Sequence, residues 1–262
     1  MAAASEDAGT SVLKPIDASF PPVVDAGPVD AARPDAATLV VRGDADAAGA
    51  ARVIDAAGAV DAPPSRFITE VLNFQQGTCA GFGAASLPGI VEGPPVGLGS
   101  QQGSLDVVSL GGGGSIVVGF GPNAIVDGPG VDFVVFENPF FYPGDAGRYA
   151  EPGEVAVSDD AVHWTAFPCT DTTQVEPDGG WAATRCGGIN PVYSNPDNDI
   201  SPFDLERAGG DQYDLAEIGV THARYVRVRN IVASEPCPEA GPKPDKNGFD
   251  LDAIAIINAA LP

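Results

Sequence analysis

Three short runs between residues 155 and 258 do most to limit what this chain can fold into. They read Val155-Ala-Val-Ser-Asp-Asp-Ala-Val-His-Trp164, Ala223-Arg-Tyr-Val-Arg-Val-Arg229 and Gly248-Phe-Asp-Leu-Asp-Ala-Ile-Ala-Ile-Ile-Asn258. Apolar residues recur in them with a period of two, the repeat of a β-strand with one face buried. In the second run Arg224, Val226 and Val228 share one face, and Tyr225, Arg227 and Arg229 share the other. In the first, Ser158-Asp-Asp-Ala161 turns the chain so that Trp164 packs back on Val155 and Val157.

The same pattern predicts further strands at 67–74, 105–110, 115–120, 131–137, 154–158 and 163–167. Gly111–Gly114 is expected to join two of them as a hairpin. A helical hint exists only at Asp211–Ile218. Short strands, many Gly and Pro, and no alternation of strands with helices predict an antiparallel β-sandwich. Two connections, 138–153 and 168–221, exceed the ~12–15 residues usual for a plain loop, and segments of that length are usually functional or disordered. If successive strands alternate in direction, both leave one end of the sandwich. The 121–130 turn and 230–248 then leave the other.

Composition divides the chain near residue 65. Residues 1–65 hold nine Asp, each followed by Ala, and a single aromatic, Phe20. Such a stretch buries too little apolar area to offset about 1–2 kcal/mol per residue of backbone entropy, so it is expected to be a disordered tether. Residues 66–262 carry the other 18 aromatics and all four cysteines, enough for one β-domain.

That domain holds nine basic against 26 acidic side chains, a net charge of −17. Nucleic acid, which needs clustered Lys and Arg, is excluded as a partner, and an acidic surface suits divalent cations. No run of ~18 apolar residues predicts a membrane-spanning helix. The first residues lack a secretory signature, yet four cysteines with one Met and abundant Gly point to an oxidising, extracytoplasmic setting. A signal segment ahead of this numbering is therefore expected. Of the three pairings that four cysteines allow, Cys169–Cys186 across one loop and Cys79–Cys237 near the domain's two ends are expected.

The order of the three opening runs resembles the end of a discoidin-type, galactose-binding-like jelly roll. There a V-x-V-S-x-D-G-x-x-W hairpin precedes an A-R-Y-V-R strand, and an acidic residue opens the last strand. Here Ala161 replaces the turn glycine. Ser109–Phe120, Asp127–Asn138 and Gly248–Asp252 also resemble stretches of a group of bacterial cell-surface proteins. The Asp-Ala tether is similar to the spacer of surface lipoproteins. These resemblances imply a secreted or surface-anchored location and a binding rather than catalytic role.

Two sets of candidate site residues emerge. Asp250 and Asp252 alternate on one strand and, by the direction argument, share an end with Asp127 and Asp132. Hard oxygen ligands of this kind suit Ca²⁺, and the resemblance implies a structural Ca²⁺ near the final strand. Glu137 and Asn138, with Phe141, Tyr142, Trp181 and Tyr193 in the long connections, would make an aromatic and polar platform for a glycan. Asn195, Asp197, Asp199 and Glu206 fall at EF-hand-like spacing, but Ile200 stands where the loop needs Gly, so Asx-turns are expected. The P-loop and Gly-x-Ser-x-Gly motifs are absent. The expected function is therefore a non-catalytic, Ca²⁺-stabilised domain that binds glycan or a cell-surface component. The alternatives are a carboxylate-based polysaccharide hydrolase and a structural envelope protein.

Overall fold

The computed structural model describes residues 65–141, 148–169, 185–231 and 248–260, with Arg148 described by its backbone only. All lie in the unit Ile54–Pro262. Residues 1–64 of the expected tether, and with them Tyr142, Trp181 and Cys237, fall outside the described residues.

The protein is all-β, with antiparallel sheets and only 3-10 turns as helix among the described residues. The first strands are β1 (Glu70–Gln75), β2 (Val108–Ser109), β3 (Ser115–Gly119), β4 (Ala124–Val126) and β5 (Phe133–Phe136). A short hairpin, β6 (Phe140–Phe141) and β7 (Arg148–Tyr149), precedes β8 (Gly153–Ser158) and β9 (Thr165–Ala166). The chain closes with β10 (Asp211–Tyr213), β11 (His222–Ala223), β12 (Tyr225–Asn230), β13 (Asp250–Leu251), β14 (Ala253–Ile256) and β15 (Ala259–Ala260). One sheet runs β1-β3-β12-β8-β9, and a second runs β10-β5-β14. Smaller ladders join β11-β4-β15, β13-β2 and β6-β7.

The two larger sheets meet in one core. Ile116, Val118, Val226, Val228, Val155 and Val157 of the first sheet cluster with Phe133, Val135, Tyr213, Ile254 and Ile256 of the second. Alternation in β12 follows from this: Val226 and Val228 are buried, while Arg229 on the opposite face is exposed. Strands β5 and β14 differ, being buried along their whole length. Their second faces (Val134, Phe136, Ala253 and Ala255) pack beneath Val192, Ala208, Phe203 and Leu205. Much of the connection 168–221 thus covers a sheet. The Cys169–Cys186 disulfide forms as expected.

Four expectations change. Residues 105–110 and 115–120 do not pair with one another, because β2 joins β13 whereas β3 joins β1 and β12. The turn-rich 121–130 contains a strand, β4. The helical hint at Asp211–Ile218 splits into strand β10, paired with β5, and a 3-10 turn at Leu215–Ile218 capped by Asp214. Direction counting also fails. Strands β9 and β12 both pair antiparallel with β8, so they run the same way and alternation along the chain is broken. Asn230 therefore lies opposite Gly153, and the segment that follows it leaves at the same end as 138–153.

Phe133 stacks on Tyr213 with centroids 5.0 Å apart and meets the edge of Phe167 at 5.9 Å. Replacing it with Ala should cost about 3–5 kcal/mol, the usual range for a buried aromatic. Urea unfolding would read this as a lower midpoint with an unchanged slope.

Candidate metal centre

The register of β14 on β5 fixes where the acids go. Ala253 pairs with Phe136 and Ile256 with Phe133, so residues before β14 meet the residue that follows β5. Asp250 consequently meets Glu137, donating its backbone N–H to Glu137 Oε1 at 3.0 Å. Asp132, at the other end of β5, meets Ile257 and Asn258. The four expected metal ligands thus occupy opposite ends of one ladder, and the shared end inferred from strand counting is corrected.

At the Glu137 end the structure gathers a group not foreseen as a unit: Glu137, Glu151 and Asp250. One carboxylate oxygen from each lies within 4.8 Å of the others. All three are buried. Glu137 arrives on the end of β5, Glu151 between β7 and β8, and Asp250 at the start of β13. Ser109 on β2 donates its hydroxyl to Asp250 Oδ1, and Tyr149 on β7 donates its phenol to Glu151 Oε2. Glu151 Oε1 accepts the backbone N–H of Gly248. Gly248 has φ of +82°, and a Cβ there would lie 2.7 Å from Asn230 and 2.9 Å from the Gly111 backbone, so only glycine makes this approach.

One atom in the group is left over. Glu137 Oε2 is buried and has no hydrogen-bond partner. The other buried carboxylates of known contacts are handled differently. Asp132 accepts from Gly128 and Asn258 on one oxygen and from Leu215 on the other, at 2.7–2.9 Å. Asp211 accepts from Gly188, Ile189 and Asn190. Both oxygens of Asp252 accept from the Val96 N–H, at 3.0 and 3.2 Å, which ties the 96–99 segment to the sheet.

Three carboxylates this close repel one another by on the order of 3 kcal/mol per ionised pair at an effective dielectric near 20. Burial, reinforced by the charge of Asp250, holds the Glu137 carboxyl well above the usual carboxylate range. Burial and then Asp250 push Glu151 up to about 7. The Tyr149 phenol is raised by burial and by Glu151, so it stays a donor. Such a group takes up either protons or a cation. Its donor set consists of carboxylate and hydroxyl oxygens, the hard ligands that suit Ca²⁺ or Mg²⁺ rather than zinc. The orphaned Glu137 Oε2 fits a bound cation in particular.

A second acidic group, Asp127, Asp132 and Asp214, has oxygens equally close. Asp132 is saturated by neutral donors, Asp127 is exposed, and Asp214 caps a 3-10 turn through the Ala216 N–H. Asp132 here ties the chain together.

The expected glycan residues are dispersed. Glu137 is in the buried group rather than on a surface platform. Asn138 exchanges both of its amide groups with the Ser104 backbone. Phe141 is half-buried and Tyr193 is 42% exposed. In the loop 195–206, Asx-turns form as expected, closed by Asn195 of the four spaced residues and by Asn198 and Asp204, which the spacing did not single out. Glu151, Ser109 and Tyr149 escaped sequence reasoning. Glu151 is an acid before Pro-Gly in a long connection, a position without periodic signal, and hydroxyls carry no ligand signature.

No protein-family model and no curated protein sequence matches this chain.

Metal-free protein should show the carboxyl shifts as pH dependence. Glu137 and Glu151 bind protons more tightly folded than unfolded, where a Glu titrates near ~4.3. Their contribution to stability is thus fully present below about pH 4.3; that of Glu151 is lost as pH rises through about 7, and that of Glu137 as pH rises through its own raised range. In chelator, the Tm contribution assigned to Glu151 should fall between about pH 5 and 8. Glu151→Gln should flatten that slope, and an unchanged slope would refute the assignment.

Proposed function

We propose that the folded unit is a non-catalytic, extracytoplasmic binding domain of the discoidin-like jelly-roll kind, stabilised by Ca²⁺ held at Glu137, Glu151 and Asp250. The observation that carries this reading is the buried Glu137 Oε2, without a partner beside two further carboxylates. Burial makes the ion structural: a cation enclosed by residues no more than 9% exposed holds chain segments together and does not touch an external ligand. A hydrolytic pair needs access to substrate and water, so the same burial supports holding over catalysis.

The setting agrees with this reading. The Cys169–Cys186 bridge fits an oxidising compartment. Among the described residues, no helix is long and apolar enough to cross a membrane. The glycan or cell-surface ligand then meets exposed rings, foremost Tyr193, which lies against Gly99 and Gly209 and is exposed.

Elemental analysis of purified protein should find about one Ca²⁺ per chain. A free ion at roughly 100 times its Kd stabilises by about 2.7 kcal/mol. At ~2–4 °C per kcal/mol for a domain of this size, Tm in Ca²⁺ should exceed that in chelator by about 5–10 °C. Glu137→Gln should abolish this difference while raising Tm in chelator, because it removes a buried charge without changing shape. Asp132→Asn should lower Tm but keep the Ca²⁺ response. Identical melts with and without ion, and no bound metal, would sink the proposal. Binding to an immobilised glycan panel should weaken in Tyr193→Ala without loss of Tm; retained binding would move the ligand site elsewhere.

A further inference from the structure

The carboxylate group lies where chain segments distant in sequence converge. Ser109 comes from β2, Glu137 from β5, Tyr149 and Glu151 from β7 and its exit, and Gly248 and Asp250 from β13. Two of the carboxylates already grip the returning chain, Glu137 through the Asp250 N–H and Glu151 through the Gly248 N–H. Tyr149 belongs to both the group and the β6–β7 hairpin. Its phenol is bonded to Glu151, and its ring stacks on Phe140, with centroids 5.3 Å apart and planes inclined by 25°.

Resting on the proposed cation site, we infer that the cation is the clasp of this hairpin: its binding decides whether β6–β7 and β13 stay docked on the sheets. The Tyr149 and Ser109 hydroxyls complete the ligand set as neutral oxygens. Without the ion, nothing draws the three carboxyl groups together at the junction of these segments, and any two that stay ionised repel one another. The least costly relief is to move Glu151 and Asp250 apart, because Glu137 is fixed at the end of a strand buried on both faces. Glu151 carries Tyr149, and through the ring stack Phe140, away with it. In the main core, Ile116, Val118, Val226 and Val228 belong to a cluster of buried apolar side chains, of which none of the three carboxylates is a member. Loss of the ion therefore loosens one end of the domain and spares the other. A ligand surface that includes the hairpin aromatics would accordingly be formed only in calcium-replete surroundings.

Amide hydrogen exchange on the full chain, in CaCl₂ and in chelator, tests this. Peptides covering 137–141, 148–151 and 248–251 should exchange roughly 10-fold or more faster in chelator, a direct reading of local opening. Peptides from β3 and β12 should be unchanged. Tyr149→Phe separates the clasp from the ion. It retains the three carboxylates, so Ca²⁺ still binds by calorimetry, but the hairpin stays fast-exchanging even with ion present. Failure of Ca²⁺ to bind the unmodified chain would overturn both the cation site and the clasp. Bound Ca²⁺ with equal protection of the hairpin in both buffers, or with Tyr149→Phe still protected, would overturn the clasp alone.

Discussion

Burial of both faces of the β5–β14 ladder is the constraint on which the rest of the structure hangs. A strand covered on one side can end in solvent, where its terminal acids are hydrated. Strands β5 and β14 are covered by the opposing sheet on one side and by Val192, Ala208, Phe203 and Leu205 on the other. Their ends therefore emerge within protein, and the acids flanking them, Asp132, Glu137, Asp250 and Asp252, are buried with them. Each needs a partner other than water, because an isolated buried carboxylate is costly.

The fold meets that need in two ways. Asp132 and Asp211 each accept several backbone and amide N–H groups, and Asp252 accepts the Val96 N–H, neutral donors that turn each carboxylate into a tie between segments. At the Glu137 end one carboxylate oxygen, Glu137 Oε2, has no hydrogen-bond partner among the described residues. There the N–H groups of Gly248 and Asp250 serve one oxygen of Glu151 and one of Glu137, and a third carboxylate arrives on Asp250 itself. What remains is a pocket of oxygens with a surplus of negative charge. The same antiparallel register that secures the ladder concentrates charge at one of its ends and disperses it at the other.

The parts of the fold set by local pattern were legible in the sequence. Alternation in 224–229 and 154–158, and the apolar runs at 131–137 and 253–256, mark strands whichever partner they take. The Asp159–Ala161 turn and the Asx-turns of 195–206 were legible because each is closed by side chains a few residues from the backbone they bond. The three-residue strands β4 and β10 were not legible, since so short a segment is extended only when a neighbour supplies its ladder. Partner choice was hidden for the same reason. The glycines 111–114 suggested a hairpin, but β2 and β3 diverge into different sheets where β13 and β12 offer them edges.

The site divides along the same line. Glu137 and Asp250 stand out in the sequence as acids at strand ends, but Glu151 has no local mark, and grouping Asp250 with Asp127 and Asp132 depended on a parity that β9 and β12 break. By itself the sequence determined an all-β unit, the acidity of its strand ends and a disulfide at Cys169–Cys186, since period, charge and short-range closure are properties of neighbouring residues. Only the tertiary structure decided which acids meet, because that depends on register and strand direction between segments more than 100 residues apart, such as Glu137 and Asp250.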